Sequence, residues 1–299
     1  MEIALATCAN LPDWEVDDRP LVKALQSHGA RVVEPAWDDP RIDWSRFDAC
    51  LIRTTWDYTA RKAAFMAWAA RIGQVTRLYN PAAIVSWNTH KAYLRELSES
   101  GISIAPTVWI AQNTGDTCDI QQLVKAQGWT HAFLKPVVGA SAESTLRFRC
   151  DTQGLEAASA LLTENLPRVG FMLQPYLKSV EKEGEISALF MDGEFTHAVR
   201  KVPVPGDYRV QDDYGASDFP IELTPSEIQQ AQAIVAHVEA RFTPGEHLLY
   251  ARVDFLRDDS GALMLNELEL IEPSLFFRHA PHAAERLACG LVDRVRNSP

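Results

Sequence analysis

The stretch LLYARVDFLRDDSGALMLNELELIEPSL, residues 248–275, decides how the rest of the chain is interpreted. Two runs with alternating apolar residues flank the turn-forming residues 258–261, and this pattern predicts a β-hairpin. Successive side chains of a strand point to opposite faces, so Glu267 and Glu269 share a face of the second strand. With an even number of residues in the turn, Asp254 of the first strand lies on that same face.

Three carboxylates on one face of a hairpin repel each other unless a positive charge lies between them. Oxygen ligands without a neighbouring His or Cys suit Mg²⁺ better than zinc, so the hairpin predicts a magnesium site. Two alternatives stay open at this point. The face could be the solvated acidic side of an ordinary hairpin, and a bulge at Gly261 would break the parity that aligns the carboxylates.

Length and composition describe a globular protein of 299 residues, with 46% hydrophobic and 23% charged residues. The net charge of −11 argues against nucleic acid or an anionic membrane as the main partner. No apolar run is long enough to span a bilayer, and the first residues lack the basic region of a signal peptide, so we expect a cytoplasmic protein. The five widely spaced cysteines include no CxxC pair, which argues against a disulfide framework or a zinc site.

Strands and helices alternate in residues 1–85, which predicts a small parallel α/β domain. Ligands of such sheets bind beyond the carboxyl ends of the strands. The predicted sheet therefore offers four candidates for binding a substrate, namely Asp17, Arg53, Asp57 and Tyr58. In the simplest scheme Arg53 holds a carboxylate and Asp57 an ammonium group. The alternative is that the residues after the third strand only cap a helix or pack on the sheet.

The block from 86 to 177 contains two predicted helices and several strands, mostly antiparallel by the length of their loops. An amphipathic pattern predicts one helix over 86–100, and a strand is predicted over 104–110. A buried strand then ends at Lys135, before a loop rich in small and hydroxyl residues.

The block from 178 to 299 begins with a hairpin whose turn is Asp192-Gly193. A helix over 224–242 starts with a capping box, and the hairpin of residues 248–275 follows it. A helix over 282–296 closes the chain.

Several of these residues stand in an order and at spacings that resemble the ATP-grasp superfamily, in the style of glutathione synthetase and D-alanine:D-alanine ligase. The resemblance covers nearly the whole chain. It implies an α/β plus α+β architecture, with a pre-ATP-grasp α/β domain followed by two α+β subdomains that clamp ATP. The residues that carry it are Lys91, Lys135, Gln174-Pro175-Tyr176-Leu177, Glu185, Lys201, Arg209, Arg252-Val253-Asp254 and Glu267-Leu268-Glu269.

The resemblance implies a role for each part of the ATP site. Lys91 and Lys135 correspond to the lysines that reach the α and β phosphates. The loop 139–145 (GASAEST), with Ser141, corresponds to the mobile loop that covers the phosphates, although it has only one glycine.

The resemblance also implies contacts with the nucleoside, from residues at the end of block 86–177 and just after it. Gln174, Tyr176 and Leu177 belong to the linker strand whose backbone binds the adenine edge. Either Glu181 or Glu185 takes the ribose hydroxyls, and the resemblance does not decide between them.

The metal ligands implied by the resemblance are those of the hairpin. Asp254 and Glu267 match ligands of two Mg²⁺ ions, and Glu269 stands where many relatives have asparagine.

The implied reaction is attack of a carboxylate on the γ-phosphate of ATP, followed by capture of the acyl phosphate by a nitrogen nucleophile. Lys201, Arg209 and Arg252 are then the candidate catalytic residues, because they can stabilise the charge on the phosphoryl oxygens. The phrases LPDWEVDDRPL, IRTTWDY, LYNP and GDYRVQDDYGAS resemble a narrower group, the cyclo-ligases of D-cycloserine synthetase type. The resemblance implies a small-molecule substrate, an O-ureidoserine-derived amino acid that the enzyme closes onto itself.

Three alternatives to a cyclo-ligase stay open. They are an intermolecular amino-acid ligase, a nucleotide-binding regulator without turnover, and a kinase that releases the phosphorylated acid. A monomer and a homodimer are both compatible with the sequence.

Overall fold

The computed structural model describes residues 1–11, 17–113, 118–139, 144–210 and 214–297. Within this part of the chain the strands form three sheets, which confirms the mixed α/β and α+β prediction. No helix among these residues is both long and apolar enough to cross a lipid bilayer.

The first sheet is parallel, with strand order β2-β1-β3-β4. Its strands are β1 (Glu2–Thr7), β2 (Arg31–Val33), β3 (Ala49–Thr54) and β4 (Arg77–Tyr79), and its helices are α1 (Arg19–Ser27) and α2 (Lys62–Ile72). Every residue of β3 is buried, as expected for a central strand covered on both faces. Apolar residues spaced by three and four positions, Leu21, Ala24 and Leu25, bury one face of α1.

The second sheet is antiparallel, with strand order β5-β8-β6-β7. Its core is formed by apolar side chains of the sheet together with those of two helices. The elements of this region are α3 (Ala82–Asn88), α4 (Tyr93–Glu99), β5 (Val108–Ile110), α5 (Ile120–Gln127), β6 (His131–Pro136), β7 (Leu146–Arg149), α6 (Thr152–Asn165) and β8 (Phe171–Pro175).

The third sheet is antiparallel, with strand order β11-β10-β9-β12-β13. Its inner strands are covered on both faces, because one face packs against α8 and the other against α9 and the first sheet. The elements are α7 (Ser179–Glu183), β9 (Glu185–Met191), β10 (Glu194–Val202), β11 (Ser217–Ile221), α8 (Pro225–Phe242), β12 (Tyr250–Arg257), β13 (Leu263–Glu269) and α9 (Pro281–Asn297). The predicted capping box of α8 is present at Thr224 and Glu227.

The helix predicted over 86–100 is wrong in one respect, because it is two helices, α3 and α4. Polar side chains stabilise the break: Thr89 Oγ1 donates to the Ser86 carbonyl at 3.1 Å, and His90 Nδ1 accepts from the Ala92 N–H at 3.1 Å. Such local bonds compete with the helical ladder. The break carries Lys91, whose backbone N–H donates to the Val137 carbonyl at 2.7 Å.

Two strand predictions are also corrected. The strand predicted over 104–110 is reduced to β5, because Pro106 cannot donate to a ladder, and Ile104 forms only an isolated bridge with Leu265. Strand β11, which sequence analysis did not predict, pairs with the edge of β10 and contains Pro220. Proline is tolerated there because β11 is an edge strand.

The three sheets fall within residues 2–79, 108–175 and 185–269. Helices α3 and α4 precede the second sheet in sequence, yet their apolar residues join the core of the third. The boundaries 1–85, 86–177 and 178–299 stay predictions.

Candidate active site

A cleft with a cavity volume of about 340 Å³ is lined by the second and third sheets and by residues that follow β3. Thirteen of the candidate site residues predicted by sequence analysis line it. They are Tyr58, Lys91, Lys135, Gln174, Tyr176, Leu177, Glu185, Lys201, Arg209, Arg252, Asp254, Glu267 and Glu269.

The hairpin of β12 and β13 presents its three carboxylates to this cavity. Arg252 pairs with Glu269 and Asp254 with Glu267, so the acidic residues share one face. The bulge lies at Asn266 and not at Gly261, because the register passes from Glu267 directly to Leu265.

Protein cations separate these carboxylates. Arg252 Nη2 contacts both Asp254, at 2.9 Å, and Glu269, and Lys91 Nζ forms an ion pair with Glu267. As a result the oxygens of the three described carboxylates do not all lie within 4.8 Å of one another. In this arrangement a single metal ion cannot contact all three carboxylates at once.

Asp254 is the most enclosed of the three, with 2% of its side chain exposed. Its Oδ1 accepts a hydrogen bond from Ser187 Oγ at 2.5 Å, and its Oδ2 lies 3.5 Å from Lys201 Nζ. Burial alone would raise the pKa of Asp254, but the charges of Arg252 and Lys201 outweigh it and hold the pKa below its ordinary value. Asp254 is therefore an ionised carboxylate at neutral pH.

Lys201 is held between two carboxylates, those of Asp254 and Glu185. Burial opposes the charge of its ammonium, yet the two neighbours raise its pKa above the ordinary value. The pKa of Glu185 is raised, since burial outweighs the attraction of Lys201.

Lys135 has a different environment. It lies on β6, is almost fully buried, and donates to Asn266 Oδ1 at 3.2 Å, while Asn266 Nδ2 donates to Glu185 at 2.5 Å. Burial lowers the pKa of Lys135 to about 8, and the nearby Lys91 adds to this effect while Glu267 and Glu185 oppose it. A bound anion would reverse this shift, so Lys135 is suited to a phosphate group.

The linker after β8 borders the cavity with Gln174, Tyr176 and Leu177. Gln174 Nε2 donates to Thr107 Oγ1 at 2.9 Å, and the Tyr176 backbone N–H donates to the His131 carbonyl at 3.1 Å. The Tyr176 N–H is therefore occupied within the sheet.

The two predicted ribose ligands occupy different places. Glu185 lines the cavity, whereas Glu181 does not. Glu181 accepts hydrogen bonds from Tyr176 Oη at 2.7 Å and Arg147 Nη1 at 3.0 Å. Burial, with the bond to Glu181, raises the pKa of Tyr176 to about 12.

Two loops flank the cavity. Arg209 lines it, held by Asp207 at 2.6 Å and stacked over the Tyr214 ring at 3.9 Å. Ser141 of the predicted phosphate loop lies outside the described residues.

The predicted substrate-binding residues of the first domain divide into two groups. Tyr58 lines the cavity, but Arg53, Asp57 and Asp17 are not among the residues that line it. The simple scheme of a carboxylate on Arg53 and an ammonium on Asp57 therefore needs correction.

Arg53 and Asp57 are used within the protein. Arg53 is 2% exposed and donates two hydrogen bonds to Asp18, each 2.9 Å long, and one to the Pro273 carbonyl at 2.9 Å. Its Nη1 is buried without a hydrogen-bond partner. Asp57 accepts from Trp37 Nε1 at 2.8 Å and forms an ion pair with Arg61.

Asp17 is also buried. Its carboxylate lies 3.3 Å from Ser274 Oγ and accepts from the Arg278 backbone N–H at 3.2 Å. It joins the segment after β13 to the loop before α1.

Sequence analysis missed several residues of the cavity, among them the polar residues Asn266 and Glu272. Asn266 faces the cavity only because of the bulge, and no residue pattern in the strand indicates a bulge at that position. Glu272 lies just beyond β13, and its place after a run of alternating acidic residues was a usable signal.

Comparisons with known proteins agree with this geometry. Residues 98–254 match the family model of the prokaryotic glutathione synthetase ATP-grasp domain, and residues 3–80 match that of the D-cycloserine synthetase DcsG N-terminal domain. The chain is 31% identical to the cycloserine biosynthesis protein DcsG of Streptomyces lavendulae, over 98% of this chain and 99% of the relative. The chain belongs to the D-cycloserine synthetase family of ATP-grasp ligases.

Solved structures support this assignment. The crystal structure of D-cycloserine synthetase DcsG is similar, with a TM-score of 0.89, 29% identity, and coverage of 99% of this chain and 100% of that chain. The ATP-grasp ligase PsnB in complex with minimal precursor, Mg and ADP has the same fold, with a TM-score of 0.63, 15% identity, and coverage of 99% and 98%.

As an ATP-grasp ligase, the protein uses ATP to form a C–N bond, and sequence analysis predicts Mg²⁺ as a second cofactor. Its cavity fits both groups. The desolvated Lys135 suits a phosphate, and the partly exposed carboxylates of Glu267 and Glu269 are the hard oxygen ligands that Mg²⁺ prefers.

Proposed function

We propose that this ligase is a cyclo-ligase, which activates the carboxylate of an amino acid and closes it onto a nitrogen of the same molecule. The end-to-end similarity to the cycloserine biosynthesis protein carries this proposal, because it includes the N-terminal domain that contributes to the cavity. Opening the amide bond of the D-cycloserine ring gives O-amino-D-serine. We therefore propose a β-aminooxy amino acid of this kind as the substrate.

The proposed reaction has two steps. The substrate carboxylate attacks the γ-phosphorus of ATP, so that a C–O–P linkage forms and ADP leaves. The aminooxy nitrogen then attacks the acyl carbon, the C–N bond forms, and phosphate leaves as the nitrogen loses a proton. No enzyme nucleophile is needed.

Two lysines would hold the phosphates. Lys135 supplies a buried ammonium with one hydrogen-bond acceptor, Asn266, and Lys91 supplies a second beside Glu267. In a site shielded from water, each charge-assisted contact to phosphate is stronger than a neutral hydrogen bond. Ser141 would add a hydroxyl from the covering loop.

The hairpin would hold two Mg²⁺ ions through Asp254, Glu267 and Glu269. Bound Mg²⁺ would neutralise charge on the phosphate oxygens. Lys91 and Arg252 now neutralise Glu267 and Glu269, so metal binding competes with these two ion pairs.

Three basic residues are proposed to stabilise the acyl phosphate. Arg252 and Lys201 are fixed by the Asp254 network, which orients them before substrate arrives. Arg209 belongs to a loop and could reach the phosphoryl group only by giving up part of its contact with Asp207.

The nucleoside would bind along the linker, with adenine beside Gln174, Tyr176 and Leu177. Of the two ribose candidates we propose Glu185, because Glu181 is held by Arg147 and Tyr176 outside the cavity lining.

We further propose that the enzyme works in the cytoplasm, where ATP is available and its five free thiols stay reduced.

A screen for ADP release tests the proposal. Purified enzyme with MgATP is offered O-amino-D-serine, O-amino-L-serine, D-serine and D-alanine, each alone and in pairs. We expect ADP release with O-amino-D-serine alone and a product lighter than the substrate by one water molecule.

The second candidate is an intermolecular ligase, favoured by the match of residues 98–254 to glutathione synthetase. Its signature would be ADP release only with two amino compounds together, and a product mass equal to their sum less one water molecule.

Sedimentation velocity on the same preparation decides between a monomer and a homodimer.

A further inference from the structure

The segment that follows β13 brings a fourth glutamate to the cavity, beside Glu185, Glu267 and Glu269. Glu272 lines it together with Trp56 and Tyr58, which follow β3 of the first sheet. The indole Nε1 of Trp56 donates to the Glu272 carbonyl at 3.2 Å, so the two segments are joined where they meet the cavity.

The carboxylate of Glu272 differs from the others in having no cation. Asp254, Glu267 and Glu269 each form an ion pair, whereas no Lys, Arg or His of the described chain lies within 4.0 Å of the Glu272 carboxylate. Burial, followed by repulsion from Glu269, raises the pKa of Glu272 to about 8. A positively charged ligand would remove this repulsion.

The position of Glu272 is suited to binding the ammonium group of an α-amino acid. The carboxylate carbon and the ammonium nitrogen of an α-amino acid are both bonded to the α-carbon. An acceptor for the ammonium must therefore lie close to the site where the carboxylate is phosphorylated. Glu272 meets this requirement, since it lines the same cavity as Glu267 and Glu269, the proposed metal ligands.

Asp57, the acid that sequence analysis assigned to this role, is held by Trp37 and Arg61 and does not line the cavity. We propose that Glu272 binds the α-ammonium group of the amino-acid substrate, with the Tyr58 ring closing the same subsite. This inference rests on the proposed ligase function and adds the group by which an α-amino acid is selected. The Trp56 and Tyr58 rings add faces that attract a cation.

The test compares two substrates that differ in one group. ADP release is measured with O-amino-D-serine and with 3-(aminooxy)propanoic acid, which lacks the α-amino group. The enzymes are the wild type, Glu272→Gln and, as a matched control, Glu99→Gln on the exposed face of α4.

We expect Glu272→Gln to raise the KM for O-amino-D-serine about ten- to a hundredfold, the range of a hydrogen bond to a charged group. The KM for ATP should not change. With 3-(aminooxy)propanoic acid, the wild type and Glu272→Gln should have the same kcat/KM. Glu99→Gln should match the wild type with both substrates.

Two results would overturn the assignment. An equal loss on both substrates would mean that Glu272 does not contact the α-amino group. A shift in the Mg²⁺ requirement, without a change in the KM for the amino acid, would place Glu272 at the metal instead. Circular dichroism and thermal unfolding of Glu272→Gln verify that the variant is folded.

The result also separates this inference from the proposed function. If O-amino-D-serine supports no ADP release but another α-amino acid does, the cyclo-ligase proposal fails. The same comparison is then made with that amino acid and its analogue without the α-amino group. If no α-amino acid supports ADP release, both proposals are wrong.

Discussion

Replacing Lys135 by methionine removes an ammonium group from the floor of the cavity while keeping most of the side-chain volume. In the wild type the only acceptor for this ammonium among the described residues is Asn266, at 3.2 Å. A charge-assisted hydrogen bond contributes about 1.5–3 kcal/mol. The affinity for a Mg²⁺ complex of a non-hydrolysable ATP analogue should therefore fall about 10- to 150-fold.

The lowered pKa of Lys135 adds a prediction about pH. Burial favours the neutral amine and brings the pKa to about 8, whereas a bound phosphate favours the ammonium form. Nucleotide binding therefore takes up a proton above this pKa. With about nine-tenths of the free enzyme protonated at pH 7 and one-tenth at pH 9, the affinity should fall about tenfold over this range.

Calorimetric titration at both pH values measures the effect. Glu269 and Glu272 ionise in the same range, with pKa values of about 7 and about 8, and would also repel ATP. The Lys135→Arg variant controls for them, because it retains both glutamates and stays charged. Equal pH dependence of the wild type and Lys135→Arg, or unchanged affinity in Lys135→Met at pH 7, would refute the assignment.

Three further substitutions test the hairpin and the first sheet. Glu267→Gln keeps the shape and removes a charge, so ADP release should fall about a hundredfold or more while the circular dichroism spectrum stays the same. Glu269→Asn introduces the amide found in many relatives; it should stay active, with a shifted Mg²⁺ concentration for half-maximal rate. Arg53→Met leaves Asp18 without its buried cation, so urea unfolding should show a loss of about 3 kcal/mol. Loss of substrate affinity without loss of stability would contradict that structural role.

Much of the fold could be predicted because local patterns and the tertiary structure agree. The alternation of strands and helices predicted the parallel sheet, and Asp192-Gly193 correctly marked the turn between β9 and β10. In the hairpin of β12 and β13, apolar residues on one face pack into the core, and the charged residues on the other face line the cavity.

The errors arise where side chains have partners distant in sequence. Arg53 stands at the end of a parallel strand, the usual place for a ligand contact, and sequence alone could not show that Asp18 is its partner. The helix break at Lys91 likewise depends on a hydrogen bond with Val137, which comes 46 residues later.

The bulge at Asn266 explains how one short strand serves both the core and the cavity. In a regular strand, Leu265, Glu267 and Glu269 would share a face, and Asn266 would point with Leu268. The extra residue instead lets Leu265 pair with Phe255 in the core while Asn266 and Glu267 both line the cavity. Asn266 then connects Lys135 of the second sheet with Glu185 of the third through its amide. A single irregularity in β13 therefore links the proposed phosphate lysine to the network that fixes Lys201 and Asp254.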